Sequence, residues 1–233
     1  MNGGHRSGAA GERHIRSERV VLFFGLLLAL SALILFARVA EEMLRGDTVQ
    51  FDSDVRSAVH RHSTPQATSV MKALTILGAS TVMIPLSLLT LLFCYVKREF
   101  HALKALAATF AGALLLEFLL KQAFHRPRPA PFFDLPTPAS FSFPSGHALF
   151  SFCFFAGIAA LLSPRLKHPG AKLALWLITT VLIVGIGFSR IYLGVHYPSD
   201  VIAGYLAGLV WVATVKFVNE LHRRNIQREW KAA

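Results

Sequence analysis

An all-α, polytopic membrane bundle of six transmembrane helices is the fold the sequence predicts, and three observations carry it. The chain of 233 residues is 54% hydrophobic and only 16% charged, with a mean hydropathy of +0.50. Its apolar residues come in blocks rather than as a 3.6-residue stripe, and blocks of about 18 or more are read as membrane helices. Its basic residues gather at the ends of those blocks. The formal net charge of +11 therefore reads as a membrane pattern, with no compact basic face interleaved with aromatics of the kind a nucleic-acid partner needs.

The blocks give one integral membrane domain, residues 19–220, between a basic N-terminal tail (1–18) and a basic C-terminal tail (221–233). The first span runs from Val20 to about Ala37 and follows a polar, basic leader without a small-residue cleavage site, which reads as a retained signal anchor. Between Arg38 and Pro65 the chain turns polar, and Val49, Phe51, Val55 and Val59 are spaced for a short helix lying at the interface. His60 and His62 have no companion ligands nearby and read as solvated loop histidines. The second block, Ala67 to Val96, is too long for one perpendicular crossing; with Pro85 in its middle it should start in the interface and cross with a tilt or kink. The third span covers about Ala102 to Leu120; Glu117 and Lys121 stand four apart on one face, and a helix-stabilising pair accounts for Glu117 but not for Lys121, which belongs with the cations below.

From Phe124 to Pro144 repeated prolines rule out continuous helix, so this stretch is an ordered loop. The fourth span follows from about Gly146 to Leu162, the fifth from Leu173 to Phe188 and the sixth from Pro198 to Val218. Phe150, Phe152, Phe154 and Phe155 on the fourth read as packing or lipid-facing residues. Cys94 and Cys153 each lie inside an apolar block and make neither a disulfide framework nor a metal pair.

Lysine and arginine bias in the short loops sets orientation. Placing the N-terminus in the cytoplasm puts Lys97, Arg98, Lys104, Arg165, Lys167 and Lys172 on that side together with both basic tails. Both termini are then cytoplasmic, in a plasma (inner) membrane protein. The end of span three, the starts of spans four and six and the end of span five all meet at the extracytoplasmic face.

Those four helix ends present Lys121, Arg128, Ser145, His147, Arg190, His196 and Asp200. Ionisable groups at the end of a hydrophobic span are expensive and are functional candidates by default. Three fixed cations around two histidines and a carboxylate suit a multiply charged oxyanion, phosphate above all: arginine offers a planar fork and lysine a compact charge. A helix beginning at Pro144-Ser145-Gly146-His147 would add unpaired N–H groups, with Gly146 allowing close approach. Pro198 is tolerated only in a first helical turn, so Asp200 should lean back toward His196. A carboxylate on one ring nitrogen fixes the tautomer and frees the other nitrogen as a nucleophile. His125 and Arg126 carry less weight; a cation touching lipid head groups or a second phosphate accounts for Arg126 as well as a catalytic role does. Asp134 reads as a local turn or ion-pair residue.

Lys121-x6-Arg128-Pro129, Pro144-Ser145-Gly146-His147 and Ser189-Arg190-x5-His196-x3-Asp200 together resemble the three-part signature of the type 2 phosphatidic acid phosphatase (PAP2) superfamily. The resemblance covers about Val20 to Val218, with all three parts complete and in order. It implies a metal-independent, cofactor-free membrane phosphatase. His196 would attack phosphorus and form a phosphohistidine, Asp200 would orient it, and His147 would protonate the leaving oxygen and then activate water. Lys121, Arg128, Arg190, Ser145 and the Gly146 backbone would hold the phosphoryl oxygens. The substrate would be a lipid monophosphate or diphosphate, such as undecaprenyl diphosphate, phosphatidylglycerophosphate, phosphatidic acid or lipid A phosphate. The same site would serve a lipid phosphotransferase. An anionic-lipid binding or transport protein would need the cations but not the paired histidines. The vanadate-dependent haloperoxidases share this type of oxyanion site but are soluble, which six spans oppose.

Overall fold

A computed structural model describes residues 4–232, with side chains described over 23–223. The side chains of the basic tail 1–18, and most of those in 221–233, lie outside that range. Every regular element among the described residues is helical: α1 (Gly4–Arg45), α2 (Val49–Arg61), α3 (Pro65–Leu77), α4 (Ser80–Val96), α5 (Phe100–Phe124), α6 (Gly146–Leu162), a 3₁₀ turn (Ser163–Arg165), α7 (Pro169–Tyr192) and α8 (Pro198–Ala232).

Five helices are long and apolar enough to cross a membrane, and α3 with α4 makes a sixth span bent by 46°. The bend falls at Gly78-Ala79, not at Pro85, which sits inside α4. Ala79 is extended at ψ 146°, and α4 restarts there. Pro85 lies in the second turn of the new helix, past its four free N–H groups, where it removes one backbone bond without carrying the bend.

The outer surface is apolar. Leu27, Leu88, Leu115, Leu177 and Val181 are all exposed, as are many of their neighbours along α1, α4, α5 and α7. In water such exposure costs about 25 cal/mol per Å²; in contact with lipid tails it costs nothing. The helices must then hold together by packing, and α6 is the most buried of the spans. It lies among α5, α7 and α8, and α1 closes over α8. Phe150 and Phe154 are buried, with Phe154 stacked on Phe110 at 5.4 Å between ring centres, while Phe152 and Phe155 are half-buried.

Outside the spans, α2 packs on the ends of α7 and α8. Its Val55 and Val59 face inward beside Ile191 and Leu193, while Val49 and Phe51 are exposed. His60 belongs to this helix rather than to a loop and stacks on Phe132 at 4.0 Å; His62 caps the helix, its Nδ1 2.8 Å from the Ala58 carbonyl. The proline-rich loop 125–145 is ordered against the same helix ends, with Phe132 N–H donating to the Leu193 carbonyl at 3.0 Å. Within it His125 takes a left-handed backbone (φ 47°) and packs edge-on against Phe141, and Asp134 (φ 52°) is a turn residue.

Candidate active site

The last turns of α5, the first turns of α6, the end of α7, the loop 125–145 and His196 just before α8 surround a cavity of about 260 Å³. Lys121, Arg128, Gly146, His147, Arg190 and His196 line it. Gly78, Ser80, Met83 and Ile84 from the α3–α4 bend form a further wall. Six of the eight residues singled out from the sequence thus meet at one polar hole among apolar helices. Ser145 and Asp200 stand behind it.

The local backbone explains how His196 arrives there. Gly194 ends α7 in the left-handed region (φ 76°), a conformation other residues rarely adopt, and the Val195 and His196 N–H groups donate to the Arg190 carbonyl at 3.1 and 3.3 Å. This tight reversal swings His196 over the end of the helix that carries Arg190. Pro198 then opens α8 at its first position.

His196 is 1% exposed and its ring nitrogens are differentiated. Nδ1 lies 3.3 Å from Asp200 Oδ2 and 3.4 Å from Ser142 Oγ, and Nε2 lies 2.9 Å from Arg128 Nη1. A guanidinium can only donate, so Nε2 is the acceptor and the proton sits on Nδ1, directed at the carboxylate. Burial pushes the imidazole down to about 4, an effect only partly offset by Asp200. At neutral pH the ring is uncharged with its Nε2 lone pair toward the cavity, which is the state a nucleophile needs.

Asp200 is fully buried and held on both oxygens. Oδ2 accepts from Ser142 Oγ (2.5 Å) and Tyr197 N–H (2.9 Å), and Oδ1 accepts from Arg126 Nη1 (2.7 Å). Arg126 is therefore no lipid-facing cation. Its Nη2 reaches Asp52 Oδ2 at 2.7 Å, and its guanidinium lies 4.0 Å above the Tyr197 ring. Asp52 and Ser142 carried no sequence signal, since neither lies in a motif.

The cations differ in how they are held. Arg128 spends Nε on the Ser140 carbonyl (2.7 Å) and Nη1 on the Val195 carbonyl (2.9 Å), which fixes its fork across the cavity. Arg190 is bonded through Nη1 to Thr75 Oγ1, and its buried Nε has no partner. Lys121 pairs with Glu117 Oε1 at 2.7 Å. Glu117 is more than a helix-stabilising partner: it lines the cavity and lies so close to the start of α6 that a Cβ on Gly146 would overlap its carboxylate. A carboxylate thus stands against the first residue of α6, the end of a helix that favours an oxyanion. Ser145 Oγ instead faces back to cap α6, 3.5 Å from Ala148 N. It is fully buried and is not among the residues that line the cavity. No group of three or more His, Cys, Asp or Glu among the described residues could hold a metal ion.

The family model of the PAP2 superfamily matches residues 101–223. The chain is 32% identical over 202 residues to phosphatidylglycerophosphatase B of Bacillus subtilis, covering 84% of this chain and 98% of that protein. It is 28% identical over 187 residues to an undecaprenyl-diphosphatase of Sulfolobus acidocaldarius, covering 78% and 84% respectively. Its fold is similar to the crystal structure of the transmembrane PAP2-type phosphatidylglycerolphosphate phosphatase of Bacillus subtilis, with a TM-score of 0.74 at 31% identity, over 82% of this chain and 96% of that one. Three complete motifs, one cavity that joins them and a matching multi-pass helical fold lead to one assignment: the chain belongs to the PAP2 superfamily.

Proposed function

We propose that the protein is a membrane lipid phosphatase that hydrolyses a lipid monophosphate or diphosphate through a phosphohistidine on His196, at the extracytoplasmic face. The observation that carries this reading is the setting of His196: Nδ1 lies 3.3 Å from Asp200 Oδ2, and Nε2, 2.9 Å from Arg128 Nη1, belongs to a cavity that Arg190 and Lys121 also line. A phosphoryl group in the cavity would take over the Arg128 contact with Nε2 and supply an acceptor for the unpartnered Arg190 Nε.

In the first step Nε2 attacks the terminal phosphorus in line as its bond to the leaving oxygen breaks, the lipid oxygen of a monophosphate or the bridging oxygen of a diphosphate, and His147 gives that oxygen a proton. In the second, His147 takes a proton from water, which attacks the phosphohistidine and releases inorganic phosphate and neutral His196. The three cations and the first N–H groups of α6 hold the equatorial oxygens as charge develops. The relatives named for phosphatidylglycerophosphate and undecaprenyl diphosphate support a lipid substrate whose tail stays in the bilayer. The lysine and arginine bias of the loops supports an outward-facing site between two cytoplasmic tails, 1–18 and 221–233.

Phosphate release from a panel of lipid monophosphates and diphosphates, measured on the detergent-purified protein, tests the reading. Release from at least one panel member is expected to persist in excess chelator. Release that requires added divalent metal would overturn the metal-free mechanism, and release from none would overturn the reaction.

A further inference from the structure

The reaction as described uses Asp200 but leaves unexplained why two more charged groups are buried behind it. Arg126 has a side chain 10% exposed and Asp52 one that is 1% exposed. They come from the loop after α5 and from α2, an element outside the spans. Asp52 Oδ1 accepts from Ser199 N–H (2.9 Å), and its Oδ2 accepts from Ser199 Oγ and Arg126 Nη2, both at 2.7 Å. Arg126 Nη1 completes a loop of contacts by donating to Ser199 Oγ and Asp200 Oδ1, again at 2.7 Å each.

Burying two carboxylates and a guanidinium yields little net stability, because desolvation cancels most of the Coulombic gain. What the arrangement does supply is direction and charge. Arg126 takes Asp200 Oδ1 and so turns Oδ2 toward His196 Nδ1, while Tyr197 beneath the guanidinium keeps Arg126 from rotating away. Asp52 balances the charge of Arg126, which would otherwise draw electron density from Asp200 and weaken it as the partner of the imidazole.

We propose that Asp52 and Arg126 are positioning residues for the nucleophile, forming an Asp52–Arg126–Asp200–His196 relay through which α2 takes part in the reaction. The relay rests on His196 being the nucleophile. The other charged groups facing His196 are Arg128 from the loop, Arg190 on α7, His147 on α6 and the Glu117–Lys121 pair on α5; Arg56 on α2 stands over the Tyr197 ring at 5.5 Å and attracts Asp52 and Asp200, and none of these is changed in the test.

The test follows kcat, KM and the acid limb of kcat/KM against pH on one lipid phosphate, so that the substrate's own titration is common to every variant. Asp52→Asn leaves Arg126 unbalanced; kcat is expected to fall about tenfold with KM within about twofold, and the acid limb to move to lower pH by about one unit. Arg126→Gln removes the one cation that both carboxylates contact and is expected to move the limb the opposite way. The double variant restores the local charge and is expected to return the limb near its original position while kcat stays low. Should these variants not yield monodisperse protein, Ser199→Ala decides, with a smaller fall in kcat at unchanged KM. Activity loss with the limb unmoved in both single variants, or unchanged kcat in Asp52→Asn or Ser199→Ala, would overturn the relay. His196→Ala runs alongside: if it stays active, the nucleophile assignment falls and the relay with it, whereas an inactive His196→Ala beside an unaffected Asp52→Asn overturns the relay alone.

Discussion

Replacing His196 with alanine is expected to reduce phosphate release by at least about 10⁴-fold, the scale on which enzymes lose rate when the group that forms the covalent intermediate is removed. The loss should not be one of folding. Asp200 would still accept from Ser142, Tyr197 and Arg126, and the cavity cations keep their own anchors in the Ser140 and Val195 carbonyls, Thr75 and Glu117. Binding of a lipid phosphate, followed by displacement of a fluorescent analogue, should therefore survive in the variant. That combination, retained binding without turnover, separates an enzyme from a protein that only holds anionic head groups. A carrier or binding protein would keep its function when His196 is lost, because the cations alone would serve it.

The second large effect concerns the leaving group. His147 stands in the first turn of α6 and lines the same cavity as His196. If it donates the proton, its value depends on how much the departing oxygen needs one. A lipid alkoxide is a strong base, whereas the phosphate leaving from a diphosphate is a weak one. His147→Ala is thus expected to slow monoester hydrolysis by about 10²–10⁴-fold and diphosphate hydrolysis by about tenfold when the first step limits both. Rates of phosphoenzyme formation on a matched pair of substrates with the same lipid tail check this. Equal losses on the two substrates would remove His147 from the acid role.

Much of this site could be read from the chain because its parts are short-range. Pro198 and Pro144-Ser145-Gly146 fix helix starts by backbone chemistry that acts within a turn, and both α8 and α6 begin where those residues predict. The i, i+4 relation of His196 and Asp200 follows from the same local geometry. The partners that come from far away were not legible. Asp52 sits in a polar segment whose pattern gives only an amphipathic helix, and nothing local distinguishes the one carboxylate that turns inward from Asp54, two residues on, which stays exposed. Arg126 was visible as a charge without a partner, so its role could not be separated from lipid contact until α2 was in place. Glu117 was read through its i, i+4 lysine, and its approach to Gly146 depends on how α5 packs against α6, which no periodicity encodes. The bend of the second span was assigned to Pro85 on propensity, whereas the chain breaks at Gly78-Ala79, beside the cavity wall.

Covalent phosphorylation of His196 is the claim on which the rest depends, and rapid quenching with a lipid phosphate labelled in its phosphoryl group tests it most directly. Label is expected to appear on the protein before it appears as inorganic phosphate, to be stable in alkali and labile in acid, and to map to the peptide that contains His196. Steady turnover with no label ever entering the protein, or label mapped to any other residue, would contradict the account.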